Sequence, residues 1–458
     1  MIICGHHTKK KWLGVDIQTI HDVWLNRDLY DGNGWASLAV TRLKMNRTLF
    51  SNALIFDGTG AESFAGEVLV EGNRIAHVAR GGESIAADDV ERIDLGGATL
   101  LPGLVDCHTH LGFGTTVEMM NKPRKRTAEE SALLITHCAR VMLDYGYTSG
   151  YSAGASVLDA ELAAAQAFES GLVPGPRLKT SSFERSPGGI SGMRTEYTGL
   201  NSRPEAPDDL EHFVEEMAEK GVDTVKLVLN GVSAFVSGSN LVDQFYESEV
   251  LAAGRAAKKY GVALSAHAYT PHMAKLAIEA GCRILYHATW ADEETLDLLE
   301  ARKDEIFVGP TPGILEADLI VAPDMGIMAS EADRAEQAEA VERGKVLGNE
   351  LRRRGIRSLP GGDYGLPQNP VGRNARDIQL FVDWFGYTPA SALSAATMLG
   401  GQLMQMPDEL GLVRSGYLAD LIAVDADLMQ GLDPLTDRER IKMVMKDGKL
   451  HRASALLH

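Results

Sequence analysis

Apolar residues recur along this chain with two different periods, and the change of period divides it. From residue 46 to about 103 they come in short runs broken by turns. Leu49–Phe56 ends at Asp57-Gly58, GEVLVEG spans 66–72, and Ile93-Asp94-Leu95 runs into Gly96-Gly97. Such runs mark β-strands. The same texture returns in GLVRSGYLADLIAVDAD (411–427) and in IKMVMKDGKL (441–450), where Asp447-Gly448 signals a tight turn. Two β-rich ends around a different middle predict one small β-sandwich domain assembled from 45–103 and 411–458.

The middle, 104–410, alternates buried-type strands with helical stretches. Strands are expected at 104–110, 147–152, 177–182, 223–229, 262–267, 282–288, 306–310 and 357–363. Helix-compatible segments lie between them: Glu129–Tyr145 opened by Thr127, Leu158–Ser170, Pro207–Lys220, Asp243–Tyr260, Pro271–Ala280 and the charged, Ala-rich Glu331–Arg354. Eight strands alternating with helices predict an α/β fold, a parallel (β/α)8 TIM barrel. In such barrels the chemistry sits at the C-terminal ends of the strands. Residues 1–44 carry Trp12, Trp24 and Trp35 without a clear period. They read as an N-terminal extension with no assigned role, and Met45 is the expected start of the folded unit.

Composition narrows the class. The 458 residues are 45% hydrophobic, enough for a large core, and contain no apolar run of membrane-spanning length. The N-terminus lacks the apolar stretch and cleavage site of a signal peptide. Four cysteines (Cys4, Cys107, Cys138, Cys282) show no paired spacing, as in a reducing compartment. A net charge of −18 disfavours nucleic acid. The expectation is a cytoplasmic enzyme with a small-molecule substrate, no membrane partner and a homo-oligomeric state.

Candidate chemistry gathers at strand ends. In LLPGLVDCHTHLGFG (100–114), His108 and His110 stand two apart on a strand, so both face one side and can reach one metal ion. Lys226 lies in DTVKLVLNG, His267 ends VALSAHAY, His287 ends RILYHATW and Asp363 ends SLPGGDYG. Each is a polar group in an apolar strand, costly unless paired or metal-bound. Singly each has a bland reading: a satisfied core histidine, a snorkelling lysine, a turn aspartate. The bland readings would have to hold for six residues together, in barrel order. His137, His212 and His272 sit on helical stretches and are read as structural. Arg185, in FERSPGGISGM after the third strand, and Tyr269, just past His267, are candidate substrate contacts. Lys122-Pro123-Arg124-Lys125-Arg126 reads as a solvated loop, and Gly361-Gly362 as a close backbone approach.

This set resembles the amidohydrolase superfamily in its binuclear-metal subtype, over about residues 46–453. SAHAY, ILYHATW and GGDYG are most similar to the branch holding imidazolonepropionase and the Xaa-Pro dipeptidases. The resemblance implies two divalent ions, zinc first among the candidates. His108, His110 and Asp363 would hold one and His267 and His287 the other. Lys226 would bridge them as a carbamate made with CO2, since an ammonium has no lone pair to give. It further implies hydrolysis of a C–N bond in an amide, dipeptide, N-acyl amino acid, urea or carbamate by a metal-bridging hydroxide, with Asp363 as general acid–base. The alternatives are a cyclic-amide hydrolase of the imidazolonepropionase type and a metal-free scaffold without catalysis. Lys226 argues against a deaminase, because superfamily deaminases lack the bridging lysine.

Overall fold

A computed structural model of the chain describes residues 47–114, 116–118, 126–187, 189–190, 209–233 and 238–453. The N-terminal extension 1–44 and residues 122–125 of the basic run lie outside the described residues.

The N-terminal strands are β1 (Arg47–Ile55), β2 (Phe64–Glu71), β3 (Arg74–Arg80), β4 (Glu91–Asp94) and β5 (Thr99–Pro102). Barrel strands follow: β6 (Leu104–Thr109), β7 (Tyr147–Ser152), β8 (Arg177–Lys179), β9 (Ser181–Ser186) with its short partner β10 (Gly189–Ile190), β11 (Thr224–Val228), β12 (Ala263–Ala268), β13 (Ile284–His287) and β14 (Phe307–Gly309). The chain ends in β15 (Leu421–Val424), β16 (Ile441–Lys446) and β17 (Lys449–Ala453).

Both chain ends enter one sheet, in the order β17-β16-β15-β5-β1-β2-β3 with β4 beside β1. The join is the antiparallel pair β5–β15, with Leu421 opposite Pro102 and Val424 opposite Thr99. Phe50, Ile55 and Val68 from the first end share a core with Leu421, Met443 and Met445 from the other. The composite β-domain is therefore present as expected.

Parallel ladders β6–β7–β8 and β9–β11–β12–β13–β14 form the barrel wall. Only Thr180 separates β8 from β9, and its N–H donates to Asp223 Oδ2. The expected third strand is thus one strand with a break. The expected eighth strand, 357–363, forms no continuous ladder, because Pro360 has no N–H and two glycines follow it. It still closes the wall. Val308 N donates to Arg357 O (2.9 Å) and Leu359 N to Val308 O (3.0 Å) on one side. His110 N donates to Tyr364 O (2.7 Å) on the other.

The expected helices form with the caps that the sequence supplies. Among them are α1 (Ala128–Asp144), closed by a Thr127–Glu130 capping box, α2 (Leu158–Glu169), and α3 (Leu210–Glu219), capped by Asp209. Next comes α4 (Glu247–Tyr260), which starts later than Asp243 because that side chain instead accepts from Asn230 Nδ2 and Thr270 Oγ1. Thr270 caps α5 (Pro271–Glu279). Several helices escaped the sequence reading, among them α6 (Glu293–Ala301), α7 (Pro312–Ile320) and, beyond the expected α8 (Glu331–Arg353), α9 (Ala375–Phe385). Among the described residues no helix is long and apolar enough to cross a membrane.

One buried carboxylate ties the seventh and eighth strand ends together. Asp377 on α9 accepts from Gly313 N through Oδ1 (2.7 Å) and from Gly361 N through Oδ2 (2.8 Å). Gly313 lies two residues after Thr311, and Gly361 two residues before Asp363. Thr311 and Asp363 both have positive φ, 50° and 63°. Such backbone persists only where the surroundings over-determine it, and Asp377 supplies part of that restraint. Gly365 completes the closure: with φ 119°, a Cβ there would fall 2.0 Å from His110 O.

Two outcomes follow. Gly365→Ala should cost on the order of 2 kcal/mol in denaturant unfolding, because a backbone carbonyl cannot give way as a flexible side chain can. Asp377→Asn should cost about 1–3 kcal/mol, since a carboxamide has one acceptor for two buried amides. Burial raises the Asp377 carboxyl to about 7, against the pull of the two amide donors. A folded value above the unfolded one makes the native state bind more protons, so this group's contribution to stability falls as pH rises toward 7. Unfolding measured between pH 5 and 8 should show a shallower pH slope in Asp377→Asn than in the parent, as checked by linkage analysis.

Candidate metal centre

Six side chains singled out by sequence converge at the C-terminal end of the barrel. Strand alternation aims His108 and His110 inward from the end of β6 and the residue beyond it. Their Nε2 atoms lie 3.4 and 3.0 Å from Asp363 Oδ1. Ligand atoms of these three residues all fall within 4.8 Å of one another, a grouping that could hold a metal ion. His267 at the end of β12 and His287 at the end of β13 have ring centroids 4.4 Å apart, and His287 lies 5.4 Å from His108. Lys226, on β11, is 1% exposed, with Nζ 3.5 Å from Glu184 Oε1 and 4.5 Å from the Tyr286 ring centroid.

The ring nitrogens are arranged as ligands are. His110 Nδ1 is 3.2 Å from Gly154 O, His267 Nε2 is 3.2 Å from Gly231 O, and His287 Nδ1 is 2.8 Å from Thr311 Oγ1. One nitrogen of each ring is anchored, which fixes orientation and leaves the other to point at the centre. His287 Nε2 is buried and has no hydrogen-bond partner. A buried orphan of this kind, beside three other imidazoles and a carboxylate, fits a divalent cation. His287, like Asp363, is held at positive φ (69°), so two members of the cluster sit on strained backbone.

Electrostatics keeps the donors in ligand form. Burial drives His108 and His267 far below the ordinary imidazole value and brings His287 down to about 3, with the Lys226 charge adding to the effect. These rings are neutral, with lone pairs available. Burial acts the same way on His110, but the hydrogen bond and charge of Asp363 outweigh it and raise that ring. Burial works to raise Asp363, and the surrounding His108, His110 and His287 overcome it and hold the carboxylate well below its usual range. Burial also lowers Lys226, against the opposing charge of Glu184.

Tyr269 joins the cluster, stacked on His287 at 4.7 Å and 12°. Arg185 does not. Its guanidinium lies 5.1 Å from the Phe213 ring centroid on α3, outside the barrel wall. Neighbours on a strand face opposite sides, so the inward position of β9 belongs to Glu184. Of the FERSPGGISGM loop, residues 188 and 191–193 lie outside the described residues. His272 is a surface group between Asp243 (2.8 Å) and Glu247 (3.2 Å), and His212 is exposed, in keeping with their structural reading. The sequence reading missed Glu184, Thr311, Tyr286 and the buried support beneath the first strand. There Asp106 accepts from His108 N (2.8 Å) and from Asn374 Nδ2 (2.5 Å). Asp106 stood inside the VDCHTH run, Glu184 beside Arg185 in FERSPGGISGM and Tyr286 beside His287 in RILYHATW; only Thr311 lay in a segment without a signal.

Known proteins share this architecture. The model of the amidohydrolase family matches residues 99–451. Ochratoxinase of Aspergillus niger is 26% identical over 390 residues, covering 78% of this chain and 76% of that protein. The crystal structure of a Xaa-Pro dipeptidase with bound methionine in its active site aligns at TM-score 0.76 and 26% identity, over 89% of this chain and all of that one. Molinate hydrolase, at 18% identity and TM-score 0.71 over 89% of this chain and 95% of its own, shares the fold. A barrel with its polar residues at the strand ends, a second domain made from both chain termini, and a family match across most of its length lead to one conclusion: the chain belongs to the amidohydrolase family, hydrolases of carbon–nitrogen bonds.

Proposed function

We propose that this chain is a two-metal hydrolase of an amide-type C–N bond, acting on a small molecule of the dipeptide, N-acyl amino acid, urea or carbamate class. One observation carries the reading. Three of the four clustered imidazoles have one nitrogen anchored, His108 and His110 face Asp363 Oδ1 through Nε2, and His287 Nε2 is buried without a partner. The likeness to ochratoxinase and to a Xaa-Pro dipeptidase supports the substrate class.

In this reading His108, His110 and Asp363 hold one divalent ion, and His267 and His287 hold the other. Imidazole and carboxylate donors suit zinc. Lys226 would serve as a further anionic ligand once converted to its carbamate; burial favours the neutral amine, the form that combines with CO2. When bound, the ions supply Lewis acidity toward the carbonyl and acidify water. Asp363 accepts the proton of the attacking water and passes it to the departing nitrogen. Tyr269, stacked on His287 and 6% exposed, flanks the reacting carbonyl and excludes water from that side.

Elemental analysis of protein purified without chelators should find about two transition-metal ions per chain. No metal after refolding with zinc and bicarbonate would refute the reading. Lys226→Ala should lose most activity, and a short-chain carboxylic acid should restore part of it by imitating the anionic bridge; full activity in the variant would show that the lysine is not needed.

Asp363→Asn separates ligand from shuttle. Asparagine tolerates positive φ, so the backbone stays, and it keeps an oxygen for metal. Metal content should hold while kcat falls by roughly 10²–10⁴. Substrates with better leaving groups should suffer less. A folded variant with two ions and near-normal kcat would assign proton transfer elsewhere.

A further inference from the structure

Glu184 stands inside the centre, although the chemistry above does not use it. It is the register partner of Lys226 across the β9–β11 ladder. Its side chain is 13% exposed, and Oε1 lies 3.5 Å from Lys226 Nζ. Gly154 makes room for it: a Cβ at that position would fall 2.4 Å from Glu184 Cγ and 3.4 Å from His110 Cε1. The carbonyl of the same Gly154 is the anchor of His110 Nδ1. One residue without a side chain therefore orients a ligand imidazole and admits a carboxylate beside it.

The position matters because of what must be built there. Any group carried by Lys226 Nζ extends into the space that Glu184 Oε1 borders. A carbamate and a carboxylate are the same kind of donor, two oxygens sharing one negative charge. Side by side in a buried site they repel, and each disfavours the other's ionised form, unless cations lie between them. Two divalent ions bring four positive charges, and the carbamate and Asp363 remove two. One more carboxylate brings the sum to +1, and the hydroxide of the proposed reaction would bring it to zero, so a third anionic ligand still leaves no net negative charge.

We propose that Glu184 is a further ligand of the dinuclear centre, sharing the anionic bridging place with Lys226. The proposal rests on the two-metal reading above and adds a residue to it. It gives the bridge redundancy: the ions are retained without Lys226, though not in the geometry that turnover needs. The competing role for Glu184 is a counter-ion to the lysine, with no contact to metal.

The experiment uses the full chain, zinc-loaded, with metal counted by elemental analysis in the parent, Lys226→Ala, Glu184→Gln and the double variant. Lys226→Ala should keep close to the parent's zinc, and the double variant should lose at least half of it. Glu184→Gln alone should give up zinc to a competing chelator about tenfold or more readily. A double variant that keeps as much zinc as Lys226→Ala, or a Glu184→Gln chain as retentive as the parent, overturns the proposal. Cadmium-113 resonances of the cadmium-loaded full chain provide a check independent of stoichiometry. Exchange of an anionic carboxylate ligand for a neutral, weaker carboxamide donor displaces at least one resonance in Glu184→Gln, whereas unchanged resonances refute ligation. A parent chain that binds no metal refutes the two-metal reading itself. A parent with two ions and an indifferent Glu184→Gln refutes only the role of Glu184.

Discussion

An amine sealed inside a protein has to find negative charge or give up its own, and Lys226 is the amine around which this barrel is arranged. It sits in the middle of β11 with apolar neighbours, its nitrogen between Glu184 and the face of Tyr286. Desolvation of an unpaired ammonium would cost several kcal/mol. His108, His267 and His287 add no charge of their own, because burial keeps them neutral. Asp363 and Glu184 are then the anions that stand closest. The cluster is a set of lone pairs and negative charge facing inward, held in place by backbone carbonyls and by one threonine hydroxyl.

Holding it there requires backbone that most residues avoid. His287, Thr311 and Asp363 all have positive φ; His287 is the last residue of β13, Thr311 stands two beyond β14, and Asp363 follows the Gly361-Gly362 pair. The bend re-aims a side chain from the barrel wall toward the axis. It is maintained from behind, by Asp377 spanning Gly313 and Gly361 and by Asp106 beneath His108. Those carboxylates are buried, and burial pushes Asp377 to about 7, with the Asp106 charge adding to it, and Asp106 to about 6, with the Asp363 charge adding to it. Electrostatic strain in the support and conformational strain at the site are two sides of the same arrangement.

Most of the barrel and most of the cluster were legible before any coordinates. A histidine or lysine that interrupts an apolar strand stands out because the cost of burying it demands a reason, and the order of such interruptions matched the strand order. The capping residue Thr127 likewise acts locally, within the turn it starts. What escaped depends on register between distant segments. Glu184 meets Lys226 only because β9 and β11 align with a bulge between Thr224 and Lys226. Asp377 lies in ARDIQLFVDWF, an ordinary amphipathic helix, and its two amide partners come from elsewhere in the chain. Arg185 reads as a candidate contact because a cation in a loop looks like a binding group; one residue of alternation puts Glu184 inward instead.

The pairing of β5 with β15 has a consequence for how the molecule is made. Leu101 and Ile422 are cross-strand neighbours, so the first strands cannot be completed until β15, beyond the whole barrel, has left the ribosome. Until then β5 presents an apolar, unpaired edge, the kind that recruits other strands. Contacts of such long range also slow folding. The nascent β1–β5 segment is therefore the stretch where chaperone binding and aggregation would compete, and premature termination before β15 would leave that edge open permanently.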